Sequence, residues 1–354
     1  MRTRTVISAI DLFCGTGGLS LGLKQGGVRV VAGIDNAASC AYPYEENIKA
    51  KFVRESVREV TGDELKRLWG RSSVRLLAGC APCQPFSSQR RGVDTSQEQS
   101  WPLLLEFGRL VRETTPDYVT MENVPRLQKS EVFEEFVSIL RETGYQVAHS
   151  VLFGPDYGLP QRRRRLVLLA GRGTDVPIPS PTVDKDSYRT VSDAIQDLPP
   201  LSAGEHDPDD RLHFARNLTP LNLRRIQASE PGGTWKDWPE ELLLECQKKT
   251  TGSTFKSFYG RMEWDKPSPT ITTQFYNPGT GRFTHPEQDR TLTLREASRL
   301  QGFPDSFMFT KPGEPITFTN VGRLIGNAVP PVFGKAIARQ IVAVEKEKRN
   351  QDNE

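Results

Sequence analysis

The stretch Val74-Arg75-Leu76-Leu77-Ala78-Gly79-Cys80-Ala81-Pro82-Cys83-Gln84-Pro85-Phe86-Ser87-Ser88 governs the reading of this chain. Its first residues form a short, mostly apolar run that predicts a buried strand. The Gly, Pro and Ser residues that follow break regular structure, so a thiol is offered at the carboxyl end of a strand. In open α/β sheets that is where ligands bind. Cys83 sits in a Pro-Cys-Gln-Pro frame, and proline on each side fixes the backbone that aims it. Three readings compete at this point. Free thiols are commonly buried structural residues. Cys80-Ala81-Pro82-Cys83 can also be a redox or zinc pair. A structural zinc needs two further ligands at matching spacing, and the sequence has no second CxxC and no paired His. A redox CxxC usually opens a helix, whereas Pro85 and Ser87 predict a loop. The third reading makes Cys83 a catalytic nucleophile, and the neighbouring stretches decide among them.

Upstream, Asp11-Leu12-Phe13-Cys14-Gly15-Thr16-Gly17-Gly18-Leu19 reads as strand, glycine turn and helix. Glycines there let the backbone approach a ligand closely. The spacing is neither the dinucleotide GxGxxG nor a phosphate loop with its Lys. The next strand ends at Gly33-Ile34-Asp35, where an acid commonly holds ribose hydroxyls. Together these suggest a nucleoside cofactor without pyrophosphate, and S-adenosylmethionine fits. Downstream, Thr120-Met121-Glu122-Asn123-Val124-Pro125 ends a strand in a carboxylate, either a surface acid or a proton donor at the same sheet edge as Cys83. Then Gln161-Arg162-Arg163-Arg164-Arg165 leads into the apolar run Leu166–Ala170. Alternation puts Arg163 and Arg165 on one side and Arg162 and Arg164 on the other.

The sequence has 354 residues, net charge +3 and 36% hydrophobic residues, with mean hydropathy −0.50 and pI near 8.5. These values describe a soluble globular protein able to meet nucleic acid without being compelled to. No run approaches the length of a membrane span, and no signal-peptide pattern precedes Val6-Ile7-Ser8-Ala9-Ile10. Five cysteines, an odd number, fit a reducing cytoplasm better than a disulfide framework. From 5 to 170, strand-like and helix-like segments alternate, which predicts a mostly parallel sheet with helices on both faces. After Gly171, prolines crowd a region with little apolar periodicity, read as a linker into a second, irregular domain. Helical periodicity returns at Leu294–Leu300 and Val332–Val344.

The chain resembles the bacterial-type DNA (cytosine-5)-methyltransferase family, with motifs in order over nearly its whole length. Asp11–Gly18 resembles the cofactor loop, Gly79–Ser87 the nucleophile loop, and Glu122-Asn123-Val124 the catalytic acid motif. Gln161 to Arg165 resembles Gln-x-Arg-x-Arg. Arg290–Pro304 resembles the support of the recognition domain, and Gly326-Asn327-Ala328-Val329-Pro330 the last motif. The resemblance implies a Rossmann-like, S-adenosylmethionine-dependent α/β fold with a smaller target-recognition domain. Its divisions would be 1–187 (catalytic and cofactor-binding), 188–324 (target recognition) and a returning segment 325–354. It implies methyl transfer to carbon 5 of a flipped-out cytosine in double-stranded DNA through a covalent adduct on Cys83. Glu122, Arg163 and Arg165 would complete the catalytic set. Implied cofactor contacts are Asp11, Phe13, Gly15, Gly17, Gly18, Asp35, Asn36, Ser56, Val57, Pro82, Leu103, Asn327 and Ala328. Implied DNA contacts are Gln84, Ser87, Arg90, Arg91, Asn123, Gln161, Arg261 and Thr272. It further implies a monomer in the bacterial cytoplasm that works apart from any cognate restriction endonuclease, and no metal. Three departures stand out. Ser56 takes the place of an Asp that often holds the adenine amino group, Asp35 is shorter than the usual Glu, and Asn36 replaces a frequent aromatic. Phe13 is expected to supply more of the adenine packing. RNA methylation, a catalytically silent DNA partner and a disulfide oxidoreductase are the other functional readings.

Overall fold

The computed structural model describes residues 6–82, 101–248 and 257–351. The chain divides into two compact units. One comprises the chain up to Tyr157, Arg164–Thr182 and the chain from Ala328 onward; the other comprises Gly158–Arg163 and Val183–Asn327.

Among the described residues, the first unit is built on seven strands: β1 (Ile7–Leu12), β2 (Arg29–Asp35), β3 (Lys51–Arg54), β4 (Val74–Gly79), β5 (Tyr118–Asn123), β6 (Tyr145–Phe153) and β7 (Arg164–Arg172). Their order is β3-β2-β1-β4-β5-β7-β6. The first five pair in parallel, while β7 runs antiparallel to both β5 and β6. The near-continuous apolar sequences of β1, β4 and β7 suit strands covered on both faces. Strand order reverses between β1 and β4, the switch point where such sheets form a crevice. Register sets what gathers there. Leu12 pairs with Gly79 and Gly79 with Met121, so β1 and β4 end level with Met121, while β5 runs on to Asn123 along β7.

The helices of this unit are α1 (Gly18–Gln25), α2 (Ala41–Ile48), α3 (Gly62–Trp69), α4 (Trp101–Thr114) and α5 (Glu131–Glu142), together with a long C-terminal helix described below. In α5, Val132, Phe133, Phe136, Val137, Ile139 and Leu140 are buried, the helical stripe that packs on a sheet. Phe136 stacks at 5.3 Å on Phe107 of α4. A capping box of Thr61 and Glu64 starts α3. The strand β3 escaped prediction because it is four residues long with Lys51 and Arg54 at its ends. A single 3₁₀ turn at Ala38–Cys40 leads into α2.

The second unit holds α6 (Ser192–Ile195), α7 (Pro220–Gln227), α8 (Leu294–Leu300) and α9 (Phe318–Asn327). Buried ions and aromatics order its loops. Arg290, fully buried, donates twice to Glu296, at 2.8 and 2.7 Å. Glu296 also accepts the Thr293 amide at the start of α8. Burial is the largest influence and would push the Glu296 carboxyl up, but the Arg290 charge and hydrogen bonds, with His285 and the Thr293 amide, together outweigh it and hold the carboxyl at about 2. Trp235, Trp238, Leu242 and Tyr259 form a small core. The expected start of this unit at 188 moves to Val183. Residues 171–182 stay with the sheet, because Gly171 lies in β7, Pro179 accepts the Tyr157 hydroxyl and Thr182 donates to Asp156. Gly158–Arg163 joins the second unit, since Arg162 donates to Ser268 and Ser268 to Pro160.

The chain re-enters the first unit at Ala328 and ends in α10 (Pro331–Gln351). Helices α1 and α10 meet glycine to glycine. A Cβ on Gly22 would lie 2.0 Å from the Pro331 carbonyl oxygen, and one on Gly334 2.5 Å from that of Leu19. Among the described residues no helix is long and apolar enough to cross a membrane.

Candidate active site

Glu122 lies one residue beyond Met121, in register to meet Cys80 one residue beyond Gly79. Its side chain is 3% exposed, and Arg165 Nε stands 2.9 Å from its Oε1. That orientation makes an ion pair rather than an aligned hydrogen bond. Arg165 comes from β7, where Leu166 pairs with Asn123. The Cys80 thiol donates to Glu122 Oε2 at 2.9 Å. Both carboxylate oxygens are therefore held, one by a cation and one by a weak neutral donor. Asn123 Nδ2 donates to the Ala81 carbonyl at 3.0 Å, and its Oδ1 accepts the Val124 amide. Strand β5 thus grips Ala81, just before the exposed Pro82. Cys83, Gln84, Ser87, Arg90 and Arg91 lie outside the described residues.

The glycine turn forms the other end of this edge. Asp35 at the end of β2 accepts the Gly15 amide at 3.0 Å and the Ala37 amide at 2.8 Å, and Cys14 donates to Ile34. Phe13 and Gly15 both have positive φ, 56° and 52°. For Phe13 that is a strained conformation, of the kind that concentrates at functional sites. Gly17 caps α1 in the left-handed region, and a Cβ on Gly18 would lie 2.1 Å from the Val329 carbonyl oxygen. Beneath the turn, Ser20 donates to Asp11 Oδ2 at 2.6 Å and meets the Tyr44 hydroxyl at 2.8 Å. Burial pushes the Asp11 carboxyl up to about 7, a rise that the Ser20 hydrogen bond opposes and the charge of Asp35 reinforces.

These residues fit S-adenosylmethionine. Asp11 Oδ1 and Thr16 Oγ1 are buried without a hydrogen-bond partner, and the space where a Gly15 side chain would stand is open. Two orphaned polar atoms below an open backbone turn provide for a polar, amino-acid-bearing ligand. Of the other residues expected at the cofactor, Asn36 is exposed, Ser56 and Leu103 are half-buried, and Val57 and Ala328 are buried. Arg109, which the sequence did not single out, donates to the carbonyls of Val57 and Val60 and so fixes the loop carrying Ser56.

Three side chains expected to touch DNA are instead committed inside the protein. Arg261 spends all five donors on the carbonyls of Ser229, His285, Gln288 and Ile226 and on Asp289. Gln161 is fully buried, donates to Leu300 and Gln301 and accepts from Ile271. Asn123 is taken up by Ala81 and Val124. In each case the sequence shows a polar residue in a polar context, and only tertiary pairing shows its donors to be used. Arg163, in the second unit, is buried and donates to the carbonyls of Ile271 and Gly326. It holds backbone there. Thr272 is half-buried and Asn327 exposed.

The C-5 cytosine-specific DNA methylase family matches residues 7–343. The Type II methylase M.HgiDII of Herpetosiphon aurantiacus is 50% identical over 337 residues, with 94% of each chain covered. The Type II methyltransferase M.XorII of Xanthomonas oryzae is 32% identical over 394 residues, covering 98% of this chain and 87% of its own. A prophage-encoded protein of E. coli superposes with TM-score 0.74 at 22% identity, over 96% of this chain and 99% of that one. The Dnmt2 methyltransferase of S. pombe does so with TM-score 0.60 at 19% identity, over 96% and 98%. At such identities the solved structures speak for the fold alone.

Proposed function

The chain belongs to the C-5 cytosine-specific DNA methylase family, and from that premise we propose how its own residues carry out the reaction. It is a DNA (cytosine-5)-methyltransferase, acting with S-adenosylmethionine on carbon 5 of cytosine. That carbon is a poor nucleophile until a covalent bond forms at carbon 6. Cys83 is the residue assigned to that bond, its Sγ adding to carbon 6 while Glu122 protonates or hydrogen-bonds ring nitrogen 3. Arg165 keeps the Glu122 side chain in place through Nε and is assigned to the cytosine carbonyl. Bound S-adenosylmethionine supplies an electrophilic methyl group. Once carbon 5 carries the methyl, that carbon gives up its proton to solvent, the Cys83 sulfur leaves carbon 6 with its electron pair, and ring nitrogen 3 returns its proton to Glu122. Carbon 6 is shielded within a stacked duplex, so the base is flipped out at a cost of a few kcal/mol, roughly. Asp11, Gly15, Thr16 and Asp35 are assigned to the cofactor's polar groups. The second unit is assigned to reading sequence, with a separate restriction endonuclease, a monomeric state and a cytoplasmic location completing the reading.

The observation that carries this assignment is the buried Glu122–Arg165 pair on β5 and β7, level with the end of β4, which leads into Cys83. Duplex DNA with 5-fluorocytosine at the target tests it. Fluorine replaces the hydrogen that leaves carbon 5, so the adduct should persist through denaturation, contain the transferred methyl and map to the Pro82-Cys83-Gln84 peptide. Bisulfite sequencing of plasmid DNA from an expressing host supplies the target. Normal turnover of the fluorinated DNA without any adduct would refute attack at carbon 6.

A further inference from the structure

Beyond the residues already assigned, we propose that Cys80 is a positioning residue for the catalytic carboxylate, an inference that rests on Glu122 acting at ring nitrogen 3. Cys80 leaves β4 with its amide bonded to Leu12 at 3.2 Å, so its backbone is pinned to the neighbouring strand. Its thiol donates to Glu122 Oε2 at 2.9 Å, while Arg165 Nε faces Oε1 at 2.9 Å. The two contacts differ in kind. A guanidinium beside a buried carboxylate is a strong, planar partner, whereas S–H is a weak donor. A carboxylate held by Arg165 alone keeps one oxygen in place but can rotate about its own axis. The thiol fixes the second oxygen, and with it the plane in which a proton passes to the base. Because the S–H bond is weak, the base can replace it at little cost when its own edge arrives. Cys80 therefore presets the orientation of Glu122 and gives way to substrate. The sequence offered Cys80 only as one half of a redox or zinc pair with Cys83, and its bond to Glu122 gives it a different part.

The test is single-turnover methyl transfer by the full-length enzyme on cognate duplex, with cofactor binding measured by calorimetry as a separate readout. Hydrogen bonds to charged groups contribute the equivalent of about tenfold or somewhat more in an equilibrium. Cys80→Ala should therefore slow methyl transfer about tenfold, with the affinities for cofactor and DNA unchanged. Cys80→Ser keeps a hydroxyl donor and should stay within about threefold of wild type. In a Glu122→Gln background, Cys80→Ala should cost nothing further, because the carboxylate it orients is gone. A Cys80→Ala enzyme as fast as wild type would overturn the proposal, as would an undiminished loss in the Glu122→Gln background. If Cys80→Ala fails to fold, Cys80→Ser carries the test alone, and a tenfold loss in that variant counts against it. A wild-type rate for Glu122→Gln by itself would instead overturn the role of Glu122, so the two failures are distinguishable.

Discussion

A carboxylate assigned to proton transfer gains from surroundings that restrict what it can do, and two residues restrict Glu122. Arg165 pairs with one oxygen and Cys80 bonds the other. Replacing the acid with its amide keeps the shape and removes the transferable proton. Glu122→Gln should therefore slow single-turnover methyl transfer by about 10²–10⁴-fold, the usual worth of general acid help, while cofactor binding by calorimetry stays as in wild type. A rate within a few-fold of wild type would remove Glu122 from this role. At this scale the sequence was legible where chemistry depends on position along a strand. Glu122 at the end of β5 and Asp35 at the end of β2 were readable because strands end where turns begin. It was illegible where chemistry depends on partners. Nothing in Pro231-Gly232-Gly233 or Gly260-Arg261-Met262 indicates that Arg261 is enclosed by five acceptors, and a surface arginine would be spelled the same way.

Among the elements, the pairing of α1 with α10 returns the last stretch of chain to the glycine turn. Periodicity predicted both helices separately, but their mutual approach depends on Gly22 and Gly334, which sequence alone presents as ordinary weak helix residues. The two principles at Gly22 disagree in sign. In an isolated helix, alanine should stabilise by about 1 kcal/mol relative to glycine. Here a Cβ would stand 2.0 Å from the Pro331 carbonyl oxygen and 2.7 Å from the Lys335 nitrogen, and backbone cannot yield as a side-chain tip can. Overpacking of this kind costs roughly 1–3 kcal/mol. Gly22→Ala should thus lower the urea midpoint, and a rise would show that the helices separate freely. Helix α9 went unpredicted for a related reason. Its apolar residues Phe318, Val321, Leu324 and Ile325 are interrupted by Gly322 and Gly326, whose place is set by neighbours: Tyr276 lies against the first and the Thr272 backbone against the second.

At the scale of the whole molecule, two of the buried titrating groups, Asp11 and His285, respond to pH in opposite directions. Burial raises Asp11 to about 7 from the usual 3.8. The folded first unit therefore retains a proton that the unfolded chain releases, and stability present below 3.8 is lost as pH rises towards 7. His285, in the second unit, is lowered from 6.5 to about 4, first by burial and then by the charges of Arg290, Arg261 and His213 against the opposing pull of Glu296. Its Nδ1 accepts the amides of Glu287 and Gln288, which suits a neutral ring. The unfolded chain takes up a proton below 6.5 that the fold excludes until about 4, so this contribution is present above 6.5 and lost as pH falls. Between these limits the two slopes oppose each other, and the wild-type curve should be flatter than either residue alone would make it. Asp11→Asn removes the first slope. Measured by urea unfolding, the stability of this variant relative to wild type should climb between pH 5 and pH 6.5 by up to about 1.4 kcal/mol per pH unit, the worth of one proton. His285→Gln should move the other way, its relative stability falling across the same interval. Differences that stay constant with pH in both variants would mean that neither group titrates as its surroundings dictate.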